Sequence, residues 1–208
     1  MNQLEILKKD WKKQEGALPK LSKAELTKLI YKKSSSIVKW IFIISILEFV
    51  VPYLIILITG NESSEKMYKE LGLSNFMTKF YIVSYVIIFG FILIFYKNYR
   101  MISANTNPKV LMQNIIKTRK TVKYYIWFNL VALAIISVVV LNKVFISNEF
   151  LEKIPEGTSM IFVWLISMLL ILVLVALLWL FYRLIYGILL NKLKVNYNEL
   201  VSNEINEL

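Results

Sequence analysis

Four long apolar runs decide what this chain can fold into: 37–59, 80–96, 124–141 and 160–190. At about 1.5 Å rise per residue, about 20 apolar residues in a helix cross a hydrocarbon core of roughly 30 Å. Inside such a core every backbone polar group must be satisfied internally, which a helix does alone. The sequence therefore predicts an all-α fold, a four-span transmembrane helical bundle with spans at about 37–59, 80–96, 124–141 and 160–182. The fourth run is 31 residues long, roughly 46 Å as a helix. Arg183 is expected to reach the inner interface by snorkelling while its helix continues beyond the bilayer.

The basic residues are distributed unevenly between the connections. Lys and Arg number ten in 1–39, seven in 97–123 and three from Arg183 onward, against three in 60–79 and two in 143–156. Because Lys/Arg asymmetry sets orientation, both termini and the 97–123 connection are expected on the cytoplasmic side. The net charge of +11 is then mainly a topology signal and a collar for anionic lipid headgroups, and no nucleic-acid partner is expected. The domains read as a basic amphipathic cytoplasmic region (1–36), a transmembrane domain (37–190) with a helical cytoplasmic connection (97–123), and a cytoplasmic tail (191–208). Residues 1–36 are polar and lysine-rich, so 37–59 is expected to serve as the first insertion signal.

Several helix boundaries are written in the sequence. Residues 2–15 read as a short helix with Leu4, Leu7 and Trp11 on one face and Lys8, Lys9, Lys12 and Lys13 around it. Leu4, Leu7, Trp11, Lys12 and Lys13 are candidate contacts to a lipid surface or to a partner protein, since both use this amphipathic pattern. Ser22 and Glu25 have capping-box spacing, flanked by Leu21 and Leu26 as a hydrophobic staple. Asn107-Pro108 predicts a second start, with Asn as N-cap and Pro at N1. Between the first two spans, SSEKMYKEL predicts a short helix closed by Gly72.

The two halves resemble each other. Lys33-Ser34 and Val38-Lys39-Trp40 match Lys117-Thr118 and Val122-Lys123-Tyr124 at an offset of 84, and Ser22 corresponds to Asn107. The chain thus reads as two tandem helical hairpins with long cytoplasmic helix extensions, related by a two-fold axis along the membrane normal rather than as an inverted repeat.

Cysteine and histidine are both absent. Disulfides, Fe–S clusters, histidine-ligated haem, most zinc sites and histidine acid–base chemistry go with them. No phosphate loop, serine triad or paired acids remain, so neither an enzyme nor a cofactor is expected. The one chemically pointed feature is Glu48, nine residues past Lys39, which places it near the midplane. Pro52 follows four residues later and removes the helical partner of the Glu48 carbonyl, so a kink is expected. An ionised carboxylate at bilayer depth costs a few kcal/mol or more, so Glu48 is expected protonated, paired or facing a wet cavity. Candidate partners are Asn129 and Ser137, Ser84 and Tyr85, and Ser167. Glu48, Pro52 and Asn129 form the candidate intramembrane site, whose role is either polar glue between spans or proton carriage. At the offset of 84, Glu48 aligns with Ala132, so the second half does not repeat it.

The stretches LKKDWKKQE and KKSSSIVKWIFIISILEF resemble small multi-pass membrane proteins of Flavobacterium-like bacteria, best from Leu7 to Val50. That resemblance implies a bacterial inner membrane. Proteins of this look are sometimes labelled carotene-cleaving oxygenases, which implies iron held by four histidines, and this chain has none. The expected function is a regulatory or accessory protein that holds a cytoplasmic or membrane partner at the cytoplasmic face, with oligomerisation left open. The alternative is a small proton-coupled transporter using Glu48. Small multidrug transporters also have four spans with a glutamate in the first, though this chain is about twice as long and the likeness is one of plan only.

Overall fold

A computed structural model describes residues 22–104, 107–155 and 157–205. Leu4, Leu7, Trp11, Lys12, Lys13 and the staple residue Leu21 lie outside the described residues. The elements are α1 (Lys23–Thr59), α2 (Glu62–Glu70), α3 (Ser74–Ala104), α4 (Pro108–Ile146), α5 (Asn148–Lys153) and α6 (Met160–Ile205). No strand occurs among the described residues, and α1, α3, α4 and α6 are each long and apolar enough to cross a membrane.

These four pack in a ring, α1 against α3, α3 against α4, α4 against α6 and α6 against α1, while α1 and α4 also meet across the centre. Ring neighbours run antiparallel. One end of the bundle holds the start of α1, the end of α3, the start of α4 and the end of α6, and is here termed the basic end. The far end carries α2 and α5.

The boundaries have local causes. The Ser22 hydroxyl accepts from the Glu25 amide at 3.3 Å, and the Glu25 carboxylate accepts from the Ser22 amide at 2.9 Å, closing the capping box. The Ser22 amide and the Ser22 hydroxyl, which also lies 2.9 Å from the carboxylate as a donor, hold the Glu25 carboxyl below the ordinary carboxylate range. A depressed folded-state pKa contributes stability above the unfolded value, and the contribution is lost as pH falls through the lowered one. Asn107 caps α4 by accepting from the Lys109 amide at 3.0 Å, with Pro108 at the first helical position. α1 continues through Pro52 and stops at Gly60, whose φ of 76° lies in the left-handed region that glycine tolerates. The short helix α5 forms in the connection between α4 and α6. A Glu149–Lys153 pair at 2.6 Å supports it from within. Phe145 packs on Phe150 and on Trp164, at 4.9 and 4.8 Å between ring centroids, and so pins it between α4 and α6.

The core is concentrated toward the basic end. Ile30, Val38, Ile41, Ile102, Leu111, Ile115, Val122, Leu193 and Leu200 are buried together with Phe95, Tyr125 and Tyr186. By contrast, Val51–Ile58 and most large side chains of α6 before Tyr182 are exposed on the isolated chain. Helices run unbroken across positions 36/37 and 190/191, and Ile30 and Leu200 share one core. The two-hairpin plan extends to burial: at the offset of 84, Ser34, Ile37, Val38 and Ile41 correspond to Thr118, Thr121, Val122 and Tyr125, and all eight are buried.

Candidate functional site

Each long helix turns a stripe with heptad-like spacing toward the ring's interior. On α1 that stripe runs Ile30, Ser34, Val38, Ile41, Ser45 and reaches Glu48; on α4 it runs Leu111, Asn114, Thr118, Thr121, Tyr125. Spacings of three and four keep these residues on one face. The stripes converge where the Tyr125 hydroxyl donates to Glu48 Oε2 at 2.5 Å. This is a short, charge-assisted type of bond when the acceptor is ionised.

Aromatic rings seal the pair. The Tyr125 ring meets Phe91 and Phe95 of α3 edge-on at 5.5 and 5.6 Å, and Tyr182 and Tyr186 of α6 at 6.4 and 6.1 Å. Edge-to-face pairs of this kind add to packing beyond the area they bury. Glu48 Oε1 is sealed from solvent without a hydrogen-bond partner among the described residues, and so is the Tyr186 hydroxyl. One carboxyl from α1 is thus bonded to a hydroxyl from α4, beside rings from α3 and α6.

The other residues singled out from sequence fall elsewhere. Asn129 turns back on its own helix and donates to the Tyr125 carbonyl at 2.8 Å, so it supports the Tyr125 backbone without meeting Glu48. Pro52 is exposed and lines a cavity of about 720 Å³ between α1, α2 and α3, together with Tyr53, Tyr68, Tyr81 and Tyr85. The bond to Tyr125 sets Glu48, midway along its own run 37–59, opposite the start of the run 124–141. Arg183 lies 5.2 Å over the Trp179 ring, so its guanidinium is engaged on its own helix.

Sequence reading missed three residues of this interior. Tyr125 stands beside Tyr124 at the start of an apolar run, and the pair reads as interface anchors. Only Tyr124 fits that description, being 65% exposed against 1% for Tyr125. The heptad step from Thr118 was the available signal. Asn98 is fully buried, three residues past Phe95 on the same face of α3, and neither atom of its amide is bonded among the described residues. Asn196 donates to Ser34 Oγ at 2.9 Å, joining α6 to α1.

Chemically, a lone carboxyl held by one phenol lacks a nucleophile–base pair, and no group of three metal-ligating side chains gathers among the described residues. What it can do is fix the relative rotation of three helices, or hold a proton. The chain belongs to the family described as Domain of unknown function (DUF8845), whose model matches residues 24–205 and so takes in nearly the whole bundle. No curated protein and no solved structure matches it.

Proposed function

We propose that this is a multi-pass protein of the bacterial inner membrane, with its basic end in the cytoplasm, that serves as an accessory or regulatory tether for a partner protein. The observation that carries this reading is the one-sided extension of the packed bundle. α4 begins 16 residues before its apolar run and α6 continues 15 residues past the end of its run at Leu190, roughly 24 and 23 Å of helix. The buried core follows them. A rigid stalk of this size on one side, with only short helices on the other, suits a protein that presents a surface to partners. The Glu48–Tyr125 contact is then an interhelical lock that holds the stalk's helices in register, as polar contacts do between membrane helices.

Recovery of a partner from native membranes tests the tether. The full chain is expected to retain a discrete protein that is lost, or recovered at least several-fold less, when 1–20 are deleted, with insertion unchanged because α1 carries its own cap. Equal recovery of the same set by an unrelated four-span protein would count against it. Orientation has its own check: reporter fusions after Leu71 and after Glu152 are expected to read external, and a cytoplasmic signal at either position overturns the topology.

The second reading, a proton-coupled carrier, draws on the cavity beside Pro52, which lies one helical turn from Glu48. The sealed Oε1 argues against it. A carrier would lose transport in Glu48→Gln with the fold intact.

A further inference from the structure

Between α1 and α6, at the basic end, a pocket of about 540 Å³ is lined on one side by Lys33, Ser36 and Trp40 and on the other by Asn191, Lys192 and Glu199. Positions 33, 36, 37 and 40 follow helical spacing of three and four, as do 189, 192, 196 and 199, so each helix contributes one continuous strip to the seam. The strips lie beside the buried Ser34–Asn196 bond, which ties the two helices together at this level, and Asn196 itself reaches the lining.

The chemistry is graded along the seam. At the basic-end limits of the runs 37–59 and 160–190 stand Trp40, 55% exposed, with Ile37 and Leu189. An indole at this height suits the boundary between acyl chains and headgroups, where tryptophan is enriched. Next come Ser36 and Asn191, which donate hydrogen bonds, flanked by the exposed ammonium groups of Lys33 and Lys192. Glu199, two helical turns beyond Lys192, closes the outer end and leaves the lining with a net charge of one positive. A singly charged phosphodiester balances that charge. Basic pockets between helices on the cytoplasmic side are the kind of site that takes anionic headgroups.

We infer that this seam is a binding site for an anionic phospholipid, its phosphodiester between Lys33 and Lys192 and its glycerol and first chain segments along Trp40, Ile37 and Leu189. The assignment rests on the membrane reading and on the basic end facing the headgroups. It differs from a general basic collar in predicting that two particular lysines matter while others at the same end do not.

The test uses the full chain purified in detergent and reconstituted into vesicles, with bound lipid counted by native mass spectrometry. Phosphatidylglycerol is expected to bind on the order of tenfold more tightly than phosphatidylcholine. Each basic residue near a charged surface contributes about fivefold, so Lys192→Gln and Lys33→Gln should each weaken phosphatidylglycerol by about that factor, while Lys109→Gln leaves it unchanged. Equal loss in Lys109→Gln, or no loss in the double variant, overturns the site. Competition by millimolar inorganic phosphate alone overturns the lipid assignment, because the apolar strip would then contribute nothing. Failure of the protein to sediment with vesicles of either composition would overturn the membrane reading and this site together, whereas sedimentation without lipid preference overturns only the site.

Discussion

Leu111→Ala will cost the bundle about 3 kcal/mol, within the range for removing a buried leucine side chain from a packed core. Leu111 is fully buried in the basic-end core that also holds Ile30, Ile102, Ile115 and Leu200. In the proposed orientation this core lies on the aqueous side of the apolar runs. There the transfer of a leucine out of water contributes fully, as in a soluble helical bundle. Leu165→Ala on α6 provides the contrast. Leu165 is 62% exposed on the isolated chain and in the proposed setting touches lipid, which is as apolar as leucine itself. Its loss should move stability by no more than a few tenths of a kcal/mol. Urea unfolding in detergent, followed by hydrogen exchange at α4 amides, reads both. Equal effects at the two positions would show that the basic end is not a cooperative core.

That contrast marks where the sequence is legible and where it is not. The four helices are visible because runs of 17 or more mainly apolar residues leave a chain few alternatives, and Ser22-Glu25 and Asn107-Pro108 announce two starts by side-chain chemistry alone. Helix register is not visible in the same way. Lys39 reads as an interface residue, and counting from it places Glu48 at the middle of a span. The bond to Tyr125 shows that Lys39, nine residues before Glu48, stands further toward the basic end than Lys123, two residues before Tyr125. Only tertiary contacts fix that offset between helices.

The interior polar residues were hidden for a related reason. In a soluble helix an apolar stripe stands out against polar positions, but here the apolar runs are apolar all round, so no stripe marks the inward face. Polar residues reveal it instead. Ser34, Asn98, Thr118 and Tyr125 are the inward positions, each reading in isolation as a residue tolerated near an interface. Asn129, an amide placed deeper in its run, looked the better partner for a carboxyl and is consumed by its own backbone.

Tyr125→Ala should be the most damaging single change within the candidate site, costing about 3–5 kcal/mol as for a buried aromatic residue replaced by alanine. The substitution removes a ring that touches Phe91, Phe95, Tyr182 and Tyr186, and with it the hydroxyl that donates to Glu48. Tyr125→Phe separates the two losses, keeping the ring and deleting the hydroxyl, and should cost roughly 0.5–2 kcal/mol on the scale of hydrogen bonds between membrane helices. Glu48→Leu should fall in the same range, because it leaves the Tyr125 hydroxyl facing an apolar side chain. Glu48→Gln retains a carbonyl acceptor and should change stability little. Combining Glu48→Leu with Tyr125→Phe removes both members of the pair, so the double variant should be less destabilised than the sum of the two, since an orphaned polar group costs more than an absent pair. Thermal unfolding in one detergent, run on all five variants, measures the coupling. Strict additivity of the two would mean that the contact does not hold α1 to α4, and the interhelical lock would fall with it.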